Sequence, residues 1–382
     1  MELTPQEIAR YQRHLALTGF GLPAQRALKD ACVLVIGAGG LGCPAALYLA
    51  AAGVGRLVLI DADRVDVSNL QRQILYSEAD VDTLKVEAAA RRLRALNSSI
   101  EVAPVAERFT RANALALVRD CDLVVDGSDN FATRYLVNDA CVLANKPLIY
   151  GAIHGFEGQA SVFNYRGGPT YRCLFPEPPD AGSVPNCAEG GVLGVLPGLI
   201  GTVQASEAIK VITGIGEPLS GKLWLWNALT MTSQIVGFSP DPRSREIREL
   251  PPEGYGETCA VQINAGERET DVETLSTALT VGRAPQLIDV REEWERELGA
   301  ILPSVHVPLG MLERGEAGPA LAGFDSSAAT VVYCASGRRS LRAVDFLRQQ
   351  YGFNRAVSLR GGYKAWVPNR TPAFPVSATT HR

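Results

Sequence analysis

Three glycines near the N-terminus have a spacing suited to binding phosphate. Gly37, Gly39 and Gly42 match the pattern G-x-G-x-x-G, which follows an apolar run and precedes an Ala-rich segment. Such a turn lets backbone N–H groups approach a phosphate at the N-terminus of a helix. Asp61 follows at the distance expected of a ribose ligand. The pattern predicts a nucleotide site, and taken alone it fits a dinucleotide-binding dehydrogenase equally well.

Charged and polar residues follow the strands next to this turn. Asn69 and Arg72 come after the second strand, Lys85 opens the next helix, and Asp129 follows the strand that ends at Asp126. Because the carboxyl ends of parallel strands meet at one edge of a sheet, we expect these residues to converge there. Arginine and lysine can clamp a triphosphate, and an aspartate can hold Mg²⁺. Hydride transfer needs none of these groups, and a surface ion-pair network is the alternative interpretation.

Cys334 is the strongest candidate nucleophile in the second half of the chain. It stands between the apolar strand 330–333 and a helix predicted to start at Ser340, so backbone N–H groups and the helix dipole converge on its sulfur. Arg338 and Arg339 add positive charge, and such a loop can stabilise a persulfide anion. A cysteine-dependent phosphatase would need an arginine at the position of Ser340, so phosphatase is the weaker reading.

Cys187 is a second candidate, in a loop bounded by Pro and Gly before a helix predicted around 198–213. A thiolate at such a position could attack an acyl-adenylate. An unpaired cysteine is more often a small buried residue, and the residues alone leave both interpretations open.

Taken together, these motifs resemble the adenylyltransferases that activate ubiquitin-like sulfur-carrier proteins. The resemblance covers residues 1 to about 238, and the segments that carry it are Gly37–Gly42, Asp61–Asp63, Asn69–Gln73, Lys85, Asp126–Asn130 and Tyr171–Pro176. It implies adenylation of the carboxylate of a Gly-Gly tail, with magnesium on Asp129. The residues that it implies on ATP are Gly40, Asp61, Asn69, Arg72 and Lys85.

The same resemblance implies roles for two further residues. Arg13 matches an N-terminal arginine that, in the family, reaches into the site of the neighbouring subunit, which implies a homodimer. Cys187 stands where the family places a reactive cysteine, which either forms a thioester or resolves an acyl-disulfide. The sequence does not decide between these two roles.

Residues 270 to 373 resemble a rhodanese sulfurtransferase domain. The matching segments are Leu287–Glu292, Pro303–Leu309, the Cys334 loop and Leu359–Trp366. The resemblance implies that Cys334 carries a persulfide, charged by a sulfur donor such as a cysteine desulfurase or thiosulfate, and delivers the sulfur to give a thiocarboxylate. Asp289, Arg291 and His306 are interpreted as structural residues.

The chain departs from the first family at its metal-binding cysteines. Many relatives carry two C-x-x-C pairs that hold structural zinc, but here Thr170 precedes Cys173 at the first pair, and the second pair is absent from 238–250. One thiolate cannot complete a tetrahedral zinc site, so we expect ATP and Mg²⁺ but no zinc.

The elements that must position these residues follow from apolar runs separated by helical patterns. Strands are predicted at 32–36, 57–60, 121–126, 147–150, 286–290 and 330–333, and helices at 83–97, 131–144 and 340–350. The pattern predicts an α/β protein with a Rossmann-like doubly wound adenylation domain followed by a smaller α/β rhodanese domain. We expect the first domain over 1–238, a Pro/Gly-rich linker over 239–268, the second domain over 269–373 and a tail over 374–382.

Composition narrows the possible partners and the compartment. The 382 residues carry a formal charge of −4, which lacks the basic excess of nucleic-acid-binding proteins. Eight scattered cysteines and an acidic N-terminus without a signal peptide favour the reducing cytoplasm, and no membrane partner is expected. Two alternative functions are a non-catalytic docking module for ubiquitin-like proteins and a nicotinamide oxidoreductase with a regulatory rhodanese domain. The pathway of the carrier, whether molybdopterin, thiamin, thiolated tRNA or cysteine, is left open.

Overall fold

The computed structural model describes residues 2–178, 191–251, 255, 268–280 and 284–367. The chain divides into two compact units, Met1–Cys259 and Ala260–Arg382, and each is described by itself. Both units are built from mostly parallel sheets covered by helices, which confirms the predicted α/β fold class.

A single eight-stranded sheet forms the centre of the first unit, in the order β3-β2-β1-β4-β5-β6-β7-β8. Its strands are β1 (Cys32–Ile36), β2 (Arg56–Ile60), β3 (Glu101–Val105), β4 (Leu123–Asp126), β5 (Leu148–His154), β6 (Glu157–Phe163), β7 (Lys222–Asn227) and β8 (Thr232–Gly237). Strands β1 to β5 are parallel, and β6 to β8 extend the sheet in antiparallel fashion. The parallel part is the doubly wound sheet that the sequence predicts.

Eight helices accompany this sheet in the described residues. They are α1 (Pro5–Arg10), α2 (Gln12–Leu15), α3 (Gly21–Asp30), α4 (Gly42–Ala52), α5 (Lys85–Leu96), α6 (Arg111–Arg119), α7 (Phe131–Ala144) and α8 (Val195–Thr213). Helix α8 is long and apolar enough to cross a membrane. It also carries the buried polar residues Gln204 and Glu207, and its Leu196 and Ile200 are buried in the protein core, as expected of a core helix in a folded domain.

Alternate residues of the central strand face two separate apolar layers. Val33 and Val35 of β1 pack with α3, α4 and α8, whereas Leu34 and Ile36 pack with α6 and α7. Burial on both faces explains why β1 reads as a continuous apolar run. The order of strands reverses between β1 and β4, and the carboxyl ends of these two strands therefore border the crevice where such sheets bind ligands.

The segment 239–251, which the sequence analysis assigns to a linker, packs against the first unit. It contains a short 3₁₀ helix, Pro242–Arg245, whose Ser244 is buried. Arg245 Nη1 donates to Asn164 Oδ1 at 2.8 Å, and Arg111 Nε donates to the Leu250 carbonyl at 3.1 Å. Proline and glycine interrupt regular structure here, but these long-range hydrogen bonds attach the segment, and the composition alone does not reveal them.

In the second unit a five-stranded parallel sheet has the order β11-β10-β12-β13-β9. Its strands are β9 (Glu269–Thr270), β10 (Gln286–Asp289), β11 (Val305–His306), β12 (Thr330–Tyr333) and β13 (Ala356–Leu359). Its helices in the described residues are α9 (Val272–Thr280), α10 (Glu293–Glu297), α11 (Leu309–Glu313), α12 (Gly318–Leu321), α13 (Arg338–Tyr351) and α14 (Gly362–Trp366). The central strand β12 is buried and leads directly into the Cys334 loop.

Candidate active sites

The turn between β1 and α4 can be built only from glycine at two of its positions. Gly37 has φ +85°, and a Cβ there would lie 2.9 Å from the carbonyl oxygen of Gly127. A Cβ on Gly42 would lie 1.8 Å from the Gly37 carbonyl oxygen. Because helix α4 begins at Gly42, the tight turn brings the start of this helix onto the end of β1. The glycine pattern therefore has the conformation that phosphate binding requires.

Two side chains, those of Asp61 and Tyr76, form hydrogen bonds with the backbone of Ala38 in this turn. Asp61, at the end of β2, accepts a hydrogen bond from Ala38 N at 2.8 Å through Oδ2 and one from Asp63 N at 2.8 Å through Oδ1. The buried Tyr76 hydroxyl donates to the Ala38 carbonyl at 2.6 Å. Asp61 thus orients the turn, and each carboxylate oxygen retains a lone pair for the predicted ribose contact.

Of the predicted cations, Arg72 and Lys85 lie beside this turn and the loop after β2. A Cβ on Gly40 would lie 3.6 Å from Arg72 Cδ. Lys85 opens α5, is buried, and its Nζ lies 2.9 Å from Asp63 Oδ2 in an ion pair. Asn69 ends a short 3₁₀ helix, where its Oδ1 accepts from Asp66 N at 3.2 Å. A triphosphate would therefore compete with Asp63 for the Lys85 ammonium.

Asp129 is exposed in the loop at the carboxyl end of β4. Below it, burial raises the pKa of the Asp126 carboxyl, whose Oδ1 accepts from Ser128 N at 2.9 Å. Gln204 on α8 donates to the Asp126 carbonyl at 2.6 Å. Asn130 then caps α7 by accepting from Thr133 N at 2.9 Å. The loop is fixed on both sides of Asp129, which leaves its carboxylate free of any part in folding the loop.

Gln73 is a site residue that the sequence analysis does not single out. It is 4% exposed, and its Nε2 lies 3.9 Å from the position of a Cβ on Gly39. Its Oε1 and the hydroxyl of Ser128 are buried without a hydrogen-bond partner in the described part of the chain. Buried polar groups are rarely left unpaired, so these atoms fit a polar ligand lying over the turn. The signal available in the sequence is the position of Gln73 in the segment Asn69–Gln73.

Two further residues of the first unit are predicted to act at the site, Arg13 and Cys187. Arg13 is exposed on α2, near the N-terminus. Cys187 lies outside the described residues, so its predicted role stays a prediction.

The Cys334 loop has the predicted setting between β12 and α13. The buried Sγ accepts hydrogen bonds from Gly337 N at 3.1 Å and from Ser340 Oγ at 3.5 Å. Gly337, with φ +93°, caps α13, which therefore starts two residues earlier than predicted. Tyr363 N donates to the Cys334 carbonyl at 2.7 Å, and a Cβ on Gly362 would lie 2.2 Å from that carbonyl oxygen. The start of α14 therefore packs directly against the back of the loop.

The two arginines of this loop have different environments. Both terminal nitrogens of Arg339 lie 2.7 Å from the Glu295 carboxylate on α10, whereas Arg338 is exposed. Glu295 offsets part of the charge of Arg339, which still interacts electrostatically with Cys334, and Arg338 supplies an exposed positive charge in the loop.

The structural interpretation of Asp289, Arg291 and His306 agrees with their contacts. Arg291 and Asp289 form a buried bidentate pair with distances of 2.9 and 2.7 Å, and Arg291 also lies over the Tyr363 ring at 4.2 Å. His306 Nε2 lies 2.8 Å from the Arg291 carbonyl oxygen. These contacts join β10, β11 and α14 behind the cysteine loop.

Four residues meet around the Cys173 sulfur, where segment 239–251 contacts the rest of the first unit. Cys173 Sγ accepts from Thr170 N at 3.3 Å, from Asp241 N at 3.2 Å and lies 3.2 Å from Ser244 Oγ. Although burial raises it, these hydrogen bonds lower the pKa of Cys173 below its ordinary value. We call Thr170, Cys173, Asp241 and Ser244 the clasp, because they join segment 239–251 to the first unit. Among the described residues, no group of three or more His, Cys, Asp or Glu is placed to hold a metal ion.

Comparisons with known families match both units. Residues 11–246 match the model of the ThiF family, and residues 271–369 match the rhodanese-like domain. The chain is 43% identical over 394 residues to "Adenylyltransferase and sulfurtransferase MOCS3-1" of Zea mays, covering 97% of this chain and 83% of that protein. It is 43% identical over 379 residues to "Probable adenylyltransferase/sulfurtransferase MoeZ" of Mycobacterium tuberculosis, covering 97% of this chain and 95% of that protein.

Solved structures also resemble this chain over about three fifths of its length. The crystal structure of E. coli MccB with ATP aligns with a TM-score of 0.55 and 26% identity, covering 61% of this chain and 72% of that chain. The structure of E. coli MccB with MccA-N7isoASN aligns with a TM-score of 0.56 and 25% identity, covering 62% of this chain and 73% of that chain.

Proposed function

The chain belongs to the ThiF family, carries a rhodanese-like domain and is an adenylyltransferase and sulfurtransferase, and from this premise we propose that it activates a ubiquitin-like sulfur-carrier protein ending in Gly-Gly. The observation that carries the proposal is the presence in one chain of a phosphate turn flanked by Arg72 and Lys85 and of a cysteine held in a cradle of hydrogen-bond donors. The products are a carrier thiocarboxylate, AMP and pyrophosphate.

The first step joins two anions. The carrier carboxylate attacks the α-phosphorus of ATP, a new O–P bond forms, and the bond to pyrophosphate breaks. No general base is needed, because the carboxylate is ionised at neutral pH. Arg72 and Lys85 offset the charge of the phosphates, and the glycine turn fixes the nucleotide for in-line attack. Lys85 exchanges its ion pair with Asp63 for the triphosphate in this scheme.

Magnesium fits the oxygen donors at this edge of the sheet. Mg²⁺ prefers one or two carboxylates together with phosphate oxygens and water, and Asp129 offers an exposed carboxylate next to Asn130, which caps α7. The ion would neutralise charge on the triphosphate, and Asp129 would hold it there.

The second step transfers sulfur. The terminal sulfur of a Cys334 persulfide attacks the carbonyl carbon of the acyl-adenylate, and AMP leaves. A second thiol then attacks the Cys334 sulfur of the acyl-disulfide, which releases the thiocarboxylate and leaves a protein disulfide. A dithiol reductant must open this disulfide before Cys334 can accept another sulfur. Cys187 is the candidate for this thiol. We propose a cysteine desulfurase or thiosulfate as the sulfur donor and the cytoplasm as the compartment.

The test is incubation of the full chain with candidate Gly-Gly carriers and Mg-ATP, followed by intact-mass measurement. An adenylate should appear without a sulfur donor, and a thiocarboxylate should appear when one is added. If no carrier of the molybdopterin, thiamin, tRNA or cysteine pathways is modified while thiosulfate sulfurtransfer is normal, the carrier proposal is wrong.

A homodimer with a shared site is also proposed. Helices α1 and α3 and the loop between α2 and α3 expose the apolar residues Ile8, Leu22 and Leu17, which suits a contact between copies near Arg13. We expect Arg13→Ala and Asp129→Ala each to lose pyrophosphate exchange. Co-expressed, they should recover about a quarter of wild-type activity, because half of the dimers are mixed and each mixed dimer holds one complete site. Activity no greater than that of the separate variants would place Arg13 in its own subunit's site or outside any site.

We propose that the clasp holds segment 239–251 against the rest of the first unit without a zinc ion. Positions 170 and 173, and 241 and 244, have the spacing of two C-x-x-C pairs, but three of the four residues are Thr, Asp and Ser. We expect metal analysis of the purified chain to find far less than one zinc per chain. The triple variant Thr170→Cys, Asp241→Cys, Ser244→Cys should gain one zinc, since four thiolates then meet. Stoichiometric zinc in the wild-type chain would contradict the proposal.

A further inference from the structure

Two cysteines lie side by side at the edge of the first sheet opposite the nucleotide turn. Cys32 is the first residue of β1, and Cys121 stands two residues before β4. Their Sγ atoms are 2.9 Å apart. The backbone around them is fixed, because Asp122 N donates to the Cys32 carbonyl and Cys32 N donates to Asp122 Oδ2, both at 2.8 Å. Neighbouring strands lie about 4.8 Å apart, within the range that a disulfide spans.

The two thiols differ in exposure and charge. Cys32 is half-buried, whereas Cys121 is buried. Arg56 Nη1 lies 3.8 Å from Cys32 Sγ, and Arg56 is itself paired with Asp120 and Glu101. The hydrogen bond between the two thiols lowers the pKa of Cys32, burial opposes this, and Arg56 adds to the lowering while Asp120 and Asp122 oppose it. The more accessible Cys32 sulfur, which lies beside the Arg56 guanidinium, thus faces the buried Cys121 sulfur.

We propose that Cys32 and Cys121 form a reversible intramolecular disulfide, made by a hydroperoxide and opened by a small dithiol. The Cys32 sulfur attacks one peroxide oxygen, the O–O bond breaks, and a sulfenic acid and one water form. The Cys121 sulfur then attacks Cys32 Sγ, the S–O bond breaks, and a second water leaves. Each thiol gives up one proton and one electron, and hydrogen peroxide is reduced to two waters.

The position of Cys32 and Cys121 determines which properties of the protein a disulfide between them would change. The Cys32 end of β1 lies opposite Gly37, and β4 leads to Gly127, which touches Gly37 at the nucleotide edge. A disulfide at the amino ends of β1 and β4 joins these two strands and does not reach the nucleotide edge at their carboxyl ends. We therefore infer a link that stabilises the adenylation unit under oxidising conditions and changes pyrophosphate exchange by less than about twofold.

The experiment treats the full chain with hydrogen peroxide, alkylates the remaining thiols and maps non-reduced peptides. A peptide joining Cys32 to Cys121 should appear, lighter by two hydrogen atoms than the two thiol peptides together. The thermal midpoint of the first unit should rise by about 5 °C and return to its reduced value with dithiothreitol.

Cys32→Ser and Cys121→Ser should each lose the linked peptide and the thermal shift. Cys141→Ser is the matched control, because Cys141 is buried in α7 and its pKa is raised by burial; this variant should keep both. Because the linked peptide is measured in the wild-type chain itself, the test does not depend on a variant folding. The proposal is overturned if folded wild-type protein oxidises Cys32 without the link, or if the link forms only in denaturant.

Discussion

Cys334→Ala should lose thiosulfate-dependent sulfuration of cyanide by about 100-fold or more while keeping carrier-dependent pyrophosphate exchange near wild type. The sulfur is the atom on which the hydrogen bonds from Gly337 N and Ser340 Oγ converge, and alanine leaves nothing to carry the persulfide. Adenylation uses residues of the first unit, so the substitution does not reach it. The same variant should form no thiocarboxylate when sulfur must come through the rhodanese domain.

Mass spectrometry of the carrier measures this result directly. Inorganic sulfide added in excess can attack the acyl-adenylate without Cys334, so the decisive reaction contains a persulfide donor and no free sulfide. A normal yield of thiocarboxylate from Cys334→Ala under those conditions would show that sulfur takes another route. Cys334→Ser keeps the approximate size of the side chain and should behave like Cys334→Ala, since a hydroxyl cannot carry sulfane sulfur.

Asp129→Asn should produce the opposite pattern, with pyrophosphate exchange reduced about 100-fold or more and cyanide sulfuration unchanged. The amide keeps the shape of the side chain but removes the negative charge proposed to hold magnesium. The loop should remain folded, because Asn130 still caps α7 and Ser128 N still donates to Asp126. Exchange within about twofold of wild type would remove Asp129 from the site.

Asp122→Asn is the matched control for Asp129→Asn. Asp122 is also an exposed carboxylate, but it stands at the opposite end of β4, and asparagine retains an oxygen to accept from Cys32 N. Equal losses from both variants would indicate a general effect of charge rather than a magnesium ligand. Titration of Asp129→Asn with magnesium should shift the half-maximal concentration upward, which a purely structural role would not do.

The strands and helices that could be predicted from the sequence are those buried in the parallel sheet. Strand β1 and helix α7 have the predicted bounds, because apolar residues on both faces of a strand or along one face of a helix leave a clear pattern. Strand β8 is different: all six of its residues are exposed, so no burial pattern marks it. Strand β8 therefore has no burial signal comparable to that of the parallel strands or of β6, which is mostly buried.

The candidate sites also contain features that the sequence predicts and features that it does not predict. Glycine spacing predicts the turn, because its conformation is determined locally. The sequence does not predict contacts between residues that are far apart along the chain. Arg339 pairs with Glu295, 44 residues away, and Ser244 contacts Cys173, 71 residues away. Such pairs depend on how elements pack, and no spacing rule encodes them. The experiments above test the roles assigned to Arg13, Asp129 and Cys334, and the roles assigned to Asp61, Asn69, Arg72, Lys85 and Cys187 remain predictions.

The continuity of each unit along the chain has a consequence for its synthesis. All strands of the first sheet lie before residue 238 and all strands of the second lie after residue 268. Neither sheet therefore waits for a strand from the other half of the chain. On the ribosome, the adenylation unit can complete its sheet and cover its apolar layers while the rhodanese unit is still being translated. Each hydrophobic core is thereby exposed to the crowded cell only for the time needed to make its own segment.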